Sequence, residues 1–221
     1  MSDIFSVKHF DFPYTGYRFP GENAGERILF VTRESKIVNT LHMVGLGIVC
    51  ATIWILGWLL LSFGSQIVSR LNVLKLPLLV LVGAMFLVGL WWIAETYRKS
   101  IFIITTRRLT KIIYTTPFTW YQFSLGLDEI QDTGSYGASF IEALFGLGYF
   151  VARSGAGAVK NFKIVNITYA RDLHNYVNKL LYAFKHHSGR INEFRPFIPD
   201  VKGEAREDLF KKYPEYKTEF E

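Results

Sequence analysis

Two apolar runs, Ile37–Phe63 and Leu76–Ala94, limit this chain more than anything else in its sequence. Each is long enough to cross a bilayer core, which takes roughly 20 helical residues. In the first run the strongly polar members, Asn39 and His42, sit at the start, and Met43 to Leu61 holds nothing more polar than Thr52. The second carries Pro77 in its first turn, where a missing N–H does no harm, and Trp91 and Trp92 at its far end, as suits an interfacial belt. Only Gly64–Lys75 lies between them, so the two helices are predicted to form an antiparallel hairpin. Gly47 and Ala51 form a small-xxx-small pair that could bring them close.

Lys and Arg placement sets the expected orientation, because basic residues are retained on the cytoplasmic side. Nine basic residues flank the hairpin, counting Arg18, Arg27, Arg33 and Lys36 before it and Arg98, Lys99, Arg107, Arg108 and Lys111 after it; only Arg70 and Lys75 lie in the turn. Both termini are therefore expected in the cytoplasm, and the Asn166–Thr168 sequon is read as a chance match. The first residues lack the basic stretch, apolar run and small-residue site of a secretory signal peptide, so the first apolar run is expected to persist in the mature protein. Cys50 is the only cysteine, which excludes a disulfide or a cysteine metal site within one chain.

After the second run the pattern changes to short β-type segments. Lys99–Thr106, Leu109–Thr116 and Phe118–Leu125 read as consecutive strands, followed by weaker candidates at Glu129–Tyr136, Gly148–Arg153 and Asn161–Thr168. Ser154-Gly155-Ala156-Gly157 reads as the turn between the last two. Helical spacing returns with Leu173, Tyr176, Val177, Leu180, Leu181 and Phe184 on one face, Thr168 as N-cap and Asp172 in the first turn. The expected organisation is a cytoplasmic N-terminal segment (1–36), a two-helix transmembrane hairpin (37–95), a sheet-plus-helix domain (96–187) and a tail (188–221). The tail carries Pro196, Pro199 and Pro214, a short helix is expected over Glu204–Lys212, and Phe194, Phe197, Ile198, Phe210 and Tyr213 are too apolar for a plainly solvated segment.

Four segments in this order resemble the bacterial pleckstrin-homology-like domains of small membrane proteins. They are Phe102-Ile103-Ile104-Thr105-Thr106-Arg107-Arg108-Leu109, Ser124-Leu125-Gly126-Leu127-Asp128-Glu129-Ile130-Gln131-Asp132, Leu144-Phe145-Gly146-Leu147-Gly148 and Tyr169-Ala170-Arg171-Asp172-Leu173-His174. Phe19-Pro20-Gly21-Glu22 and Glu26-Arg27-Ile28-Leu29-Phe30 are similar to the family's lead-in before the first span. The resemblance implies an α+β fold, a curved antiparallel sheet or partly open barrel capped by the C-terminal helix. It also implies a multi-pass protein of a bacterial cytoplasmic membrane. It implies no reaction, since a shared fold does not supply one.

Charge adds what the fold cannot. Thr96–Lys185 holds eleven Lys plus Arg against five Asp plus Glu, the first 36 residues balance, and the residues after Lys185 are slightly acidic. A basic residue held near an anionic leaflet is worth about 1 kcal/mol, so Arg98, Lys99, Arg107, Arg108 and Lys111 are the expected contacts with anionic lipid headgroups or protein partners. For Arg98 and Lys99 the plainer reading is that they only orient the span. No nucleic-acid motif accompanies the surplus. No catalytic residue, metal site or cofactor is predicted: Asp128, Glu129 and Asp132 read as a turn, His186-His187 as a helix end, and P-loop, Rossmann and nucleophile-elbow patterns are missing. Glu95 is expected to pair with Arg98 or Lys99 rather than mark a transport site. The expected function is a non-enzymatic membrane scaffold or adaptor, with an accessory subunit of a transport or export complex as the alternative; protein partners and a homo-oligomer are left open.

Overall fold

The computed structural model of the chain describes residues 2–7, 16–137, 144–155, 161–198, 207, 210 and 211. They form strands β1 (Ser2–Asp3), β2 (Tyr17–Arg18) and β3 (Ile28–Thr32), helices α1 (Lys36–Ile67) and α2 (Lys75–Lys99), strands β4 (Ile101–Thr105), β5 (Arg108–Tyr114), β6 (Trp120–Gly126), β7 (Ile130–Gly137), β8 (Gly148–Ser154) and β9 (Phe162–Ile167), and helix α3 (Ala170–His186). Two compact units divide the chain. One comprises 33–101 with 111–122, the other 1–32, 102–110 and 123–221.

In the first unit Ser35 caps α1 through its hydroxyl, and a single 3₁₀ segment, Ser69–Leu74, turns the chain into α2. Both helices are long and apolar enough to cross a membrane, with mean hydropathies of 2.3 and 2.4. Only 6% of each apolar window is buried within the protein, which is the reverse of a soluble core helix. Close approach of the helices rests on Gly57 and Gly89. A Cβ at Gly57 would lie 2.6 Å from Leu78 Cδ2, and one at Gly89 2.6 Å from Leu46 Cδ2. Gly47, the glycine expected to serve this purpose, stands only in ordinary contact distance of Phe86.

The second unit holds α3 and most of the strand residues, while 111–122, the end of β5 through the start of β6, belongs to the first. Strands β3 to β6 form a four-stranded antiparallel sheet in sequence order, and β7 to β9 a three-stranded antiparallel sheet; neither is closed among the described residues. The strands thus fall into two sheets rather than one, and β3, contributed from before α1, was not among the expected strands. Its register against β4 runs from Ile28↔Thr105 to Thr32↔Phe102, with a bulge near Phe30. Every residue of β3 is buried, and Phe30 packs edge-on against Phe197 and Tyr169 at 4.6 and 5.7 Å. Phe197 is only 2% exposed and its amide donates to the Leu29 carbonyl at 3.2 Å, so this part of the tail is a component of the core.

Helix α3 packs on β7 and β8 through Leu173, Val177, Leu180 and Leu181, all buried. Tyr169 rather than Thr168 occupies its N-cap position, and makes no capping bond through its side chain. On its flank Thr133 of β7 bonds to His174 Nδ1 at 3.0 Å and to Asn178, which satisfies a buried hydroxyl inside the helix–sheet seam. Across β7, β8 and β9, Tyr136 stacks on Tyr149 at 5.1 Å, and Lys163 Nζ lies 3.9 Å from the centre of the Tyr149 ring. The expected 154–157 turn and the Glu204–Lys212 helix lie largely outside the described residues.

Candidate functional site

The five cations singled out by sequence fall in both units. Arg98, Lys99 and Lys111 belong to the unit of the helices, Arg107 and Arg108 to the other. Each has a different environment.

At the end of α2, Glu95 receives both Arg98, at 3.0 Å, and Lys99, at 2.9 Å, so the expected ion pair has two cations. Arg98 keeps 69% of its side chain exposed, whereas Lys99 is turned inward. Its ammonium also donates to the Pro117 carbonyl at 3.2 Å and lies 5.3 Å from the centre of the Tyr114 ring. Lys111 is half-buried against Tyr121, 5.9 Å from the ring centre, and burial lowers its pKa.

The β4–β5 turn explains the Thr-Thr-Arg-Arg sequence. Thr105 is buried, and its hydroxyl accepts the amides of Arg107 and Arg108 at 3.2 and 3.0 Å while donating to Glu26 Oε1 at 2.7 Å. Arg108 then grips the Glu26 carboxylate at both oxygens, Nε to Oε1 and Nη2 to Oε2, each at 3.0 Å. It also bonds to the Gly21 carbonyl and lies over the Phe19 ring. The Asn23 amide completes the carboxylate's partners at 3.0 Å. Burial by itself would raise the Glu26 pKa, but hydrogen bonds from Arg108, Asn23 and Thr105, with the charge of Arg108, outweigh it and hold the pKa below the usual carboxylate value. A fork-to-carboxylate pair of this kind is a structural clasp. It joins the lead-in segment to the turn, and leaves Arg107 as the exposed cation of the two.

A surface cleft of about 620 Å³ lies between the outer side of α3 and the segment after it. Tyr176 forms its floor, donating to the Arg195 carbonyl at 2.6 Å and packing against Phe194 and Phe197. Asp172, Lys179, Glu193 and Arg195 give it mixed charge. Among the described residues no group of three or more His, Cys, Asp or Glu could hold a metal ion. Asp128, Glu129 and Asp132 lie exposed at the β6–β7 turn and the start of β7, where Asp132 pairs with Arg153 at 3.1 Å.

Sequence reasoning missed the clasp although both partners were in view. Its signal is Glu26 two residues ahead of an unbroken β-prone run, Ile28–Thr32, which marks a strand and places an acid near its mouth.

Fold and site together define a protein with two helices able to cross a membrane and a sheet domain held together by a buried Glu–Arg clasp. No protein-family model, curated protein or solved structure matches the chain.

Proposed function

We propose that this protein is a non-enzymatic membrane-anchored scaffold or adaptor of the bacterial pleckstrin-homology-like kind, with both termini cytoplasmic and a basic domain that meets anionic headgroups and protein partners. The observation that carries the reading is the uncovered apolar surface of α1 and α2, joined without a linker to a folded basic domain. Apolar surface on this scale needs a lipid solvent. The electrostatic contribution falls mainly to Arg107 and to Arg98, which pairs with Glu95 yet stays largely exposed, because Arg108 is engaged by Glu26 and Lys99 is turned inward onto Glu95 and Pro117.

The test uses the full chain in lipid nanodiscs with a fluorophore at Asp128→Cys, Cys50 having been replaced by Ser. Position 128 adjoins the β4–β5 turn, since the Leu127 amide donates to the Arg107 carbonyl at 2.9 Å. Quenching by a headgroup-attached quencher should be greater in anionic than in zwitterionic discs, should fall steeply between about 0.1 and 0.5 M salt, and should drop with Arg107→Gln. Equal quenching in both lipids, or quenching that resists salt, would overturn the electrostatic contact.

A further inference from the structure

The turn between β5 and β6 bonds its threonine hydroxyls and several of its amides to one another while it exposes an aromatic ring. Thr115 and Thr116 donate their amides to the Thr119 carbonyl at 3.1 and 3.3 Å. The Thr116 hydroxyl accepts the amides of Phe118 and Thr119 at 3.2 and 2.8 Å, and the hydroxyls of Thr115 and Thr116 both meet that of Thr119. Pro117 has no N–H, and its carbonyl takes the Lys99 ammonium. In water such internal bonding is unnecessary, since solvent satisfies a loop. Near lipid it lowers the cost of burial, because an unsatisfied backbone group has no partner there.

What this turn presents is apolar. Phe118 is 78% exposed and Trp120 54%, with Tyr121 beside them. The turn is fixed to α2 at three points: Lys99 to Pro117, Lys99 over Tyr114, and the Ser100 hydroxyl accepting the Tyr114 amide at 3.0 Å. These fastenings bring the Phe118 ring to 6.2 Å from that of Trp91. Trp91 lies one helical turn, about 6 Å of axis, on the apolar side of Glu95. The exposed Phe118 ring therefore continues the exposed apolar surface of α2 beside Trp91, below the level of its charged end, and exposed Trp120 follows two residues on.

We propose that the β5–β6 turn is an interfacial lipid anchor, seating Phe118 and Trp120 among the lipids at the headgroup–acyl boundary beside Trp91. Aromatic side chains favour that depth, where an apolar ring and a polar edge are both accommodated. The anchor rests on the membrane reading of α1 and α2. It differs from the headgroup contact of Arg98 and Arg107 in chemistry: it is driven by apolar area, so it needs no anionic lipid and does not weaken with salt.

The test is a depth measurement on the full chain, with Cys50→Ser as background, in neutral phosphatidylcholine vesicles. An environment-sensitive fluorophore is placed singly at Phe118→Cys, Trp120→Cys, Leu56→Cys in the middle of α1, or exposed Arg171→Cys on α3, and quenched by lipids spin-labelled along the acyl chain. Phe118→Cys and Trp120→Cys are expected to show blue-shifted emission and quenching closer to Leu56→Cys than to Arg171→Cys, unchanged by high salt. Water-like emission at positions 118 and 120, with Leu56→Cys deep in the bilayer, would overturn the anchor while leaving the membrane reading intact and would assign the patch to a protein partner. Water-like emission at Leu56→Cys as well would overturn both.

Discussion

Glu26 shows how one buried carboxylate can hold a domain's entrance in place. Its folded pKa lies below the ordinary value, so it stabilises the folded chain at neutral pH. That contribution is complete above the unfolded carboxylate pKa, about 4.3, and is lost as pH falls through the lowered folded value. Thermal unfolding in detergent from about pH 7 to about pH 3 should therefore show an acid-side fall that Glu26→Gln flattens. Identical pH slopes in the two proteins would show that the clasp does not carry it. Arg108→Gln is the harsher change, because it strands a carboxylate whose side chain has no exposed surface; a loss of about 3 kcal/mol at neutral pH is expected, and much less in acid. A change below about 0.5 kcal/mol at neutral pH, the range of an ordinary surface substitution, would sink that expectation.

At the scale of elements, the helices were the most legible part of the sequence, for a physical reason. Long apolar runs and a threefold-to-fourfold spacing act over many residues, so single exceptions do not obscure them. Leu173, Val177, Leu180 and Leu181 are legible as one face from their spacing alone, and all four are buried. Leu180→Ala should cost about 2 to 5 kcal/mol; thermal or denaturant unfolding showing almost no loss would put that face elsewhere. Strands were legible in order but not in partnership. Nothing local to Ile28–Thr32 says that it pairs with a segment beyond two helices, since pairing is a property of register and not of composition. The sequence of Phe118–Leu125 reads as continuous strand, yet three threonines bond to one another across the turn and strand structure resumes only at Trp120. Of the five candidate cations, sequence supplied identity without environment. Arg107 and Arg108 are neighbours in the chain, and only Thr105 beneath the turn and Glu26 across it decide which one is engaged.

For the whole molecule, the pairing of β3 with β4 bears directly on topology. These strands flank the helical hairpin and exchange backbone hydrogen bonds, so they must lie on the same side of any membrane the helices cross. The number of crossings between them is then even, whichever side the strands face. In intact cells producing single-cysteine variants without Cys50, an impermeant thiol reagent should modify Ser65→Cys and spare Ser188→Cys. The opposite pattern would invert the orientation.

The same pairing sets a schedule for synthesis. Ile28–Thr32 leaves the ribosome about 70 residues ahead of its partner Ile101–Thr105, an interval of roughly 4 to 14 s at 5–20 residues per second. Throughout that time a five-residue apolar strand has no edge to join, and only completion of both helices brings one within reach. Completion of the hairpin thus becomes the step that licenses the sheet to assemble, and a chain stalled before α2 would display an unpaired apolar strand.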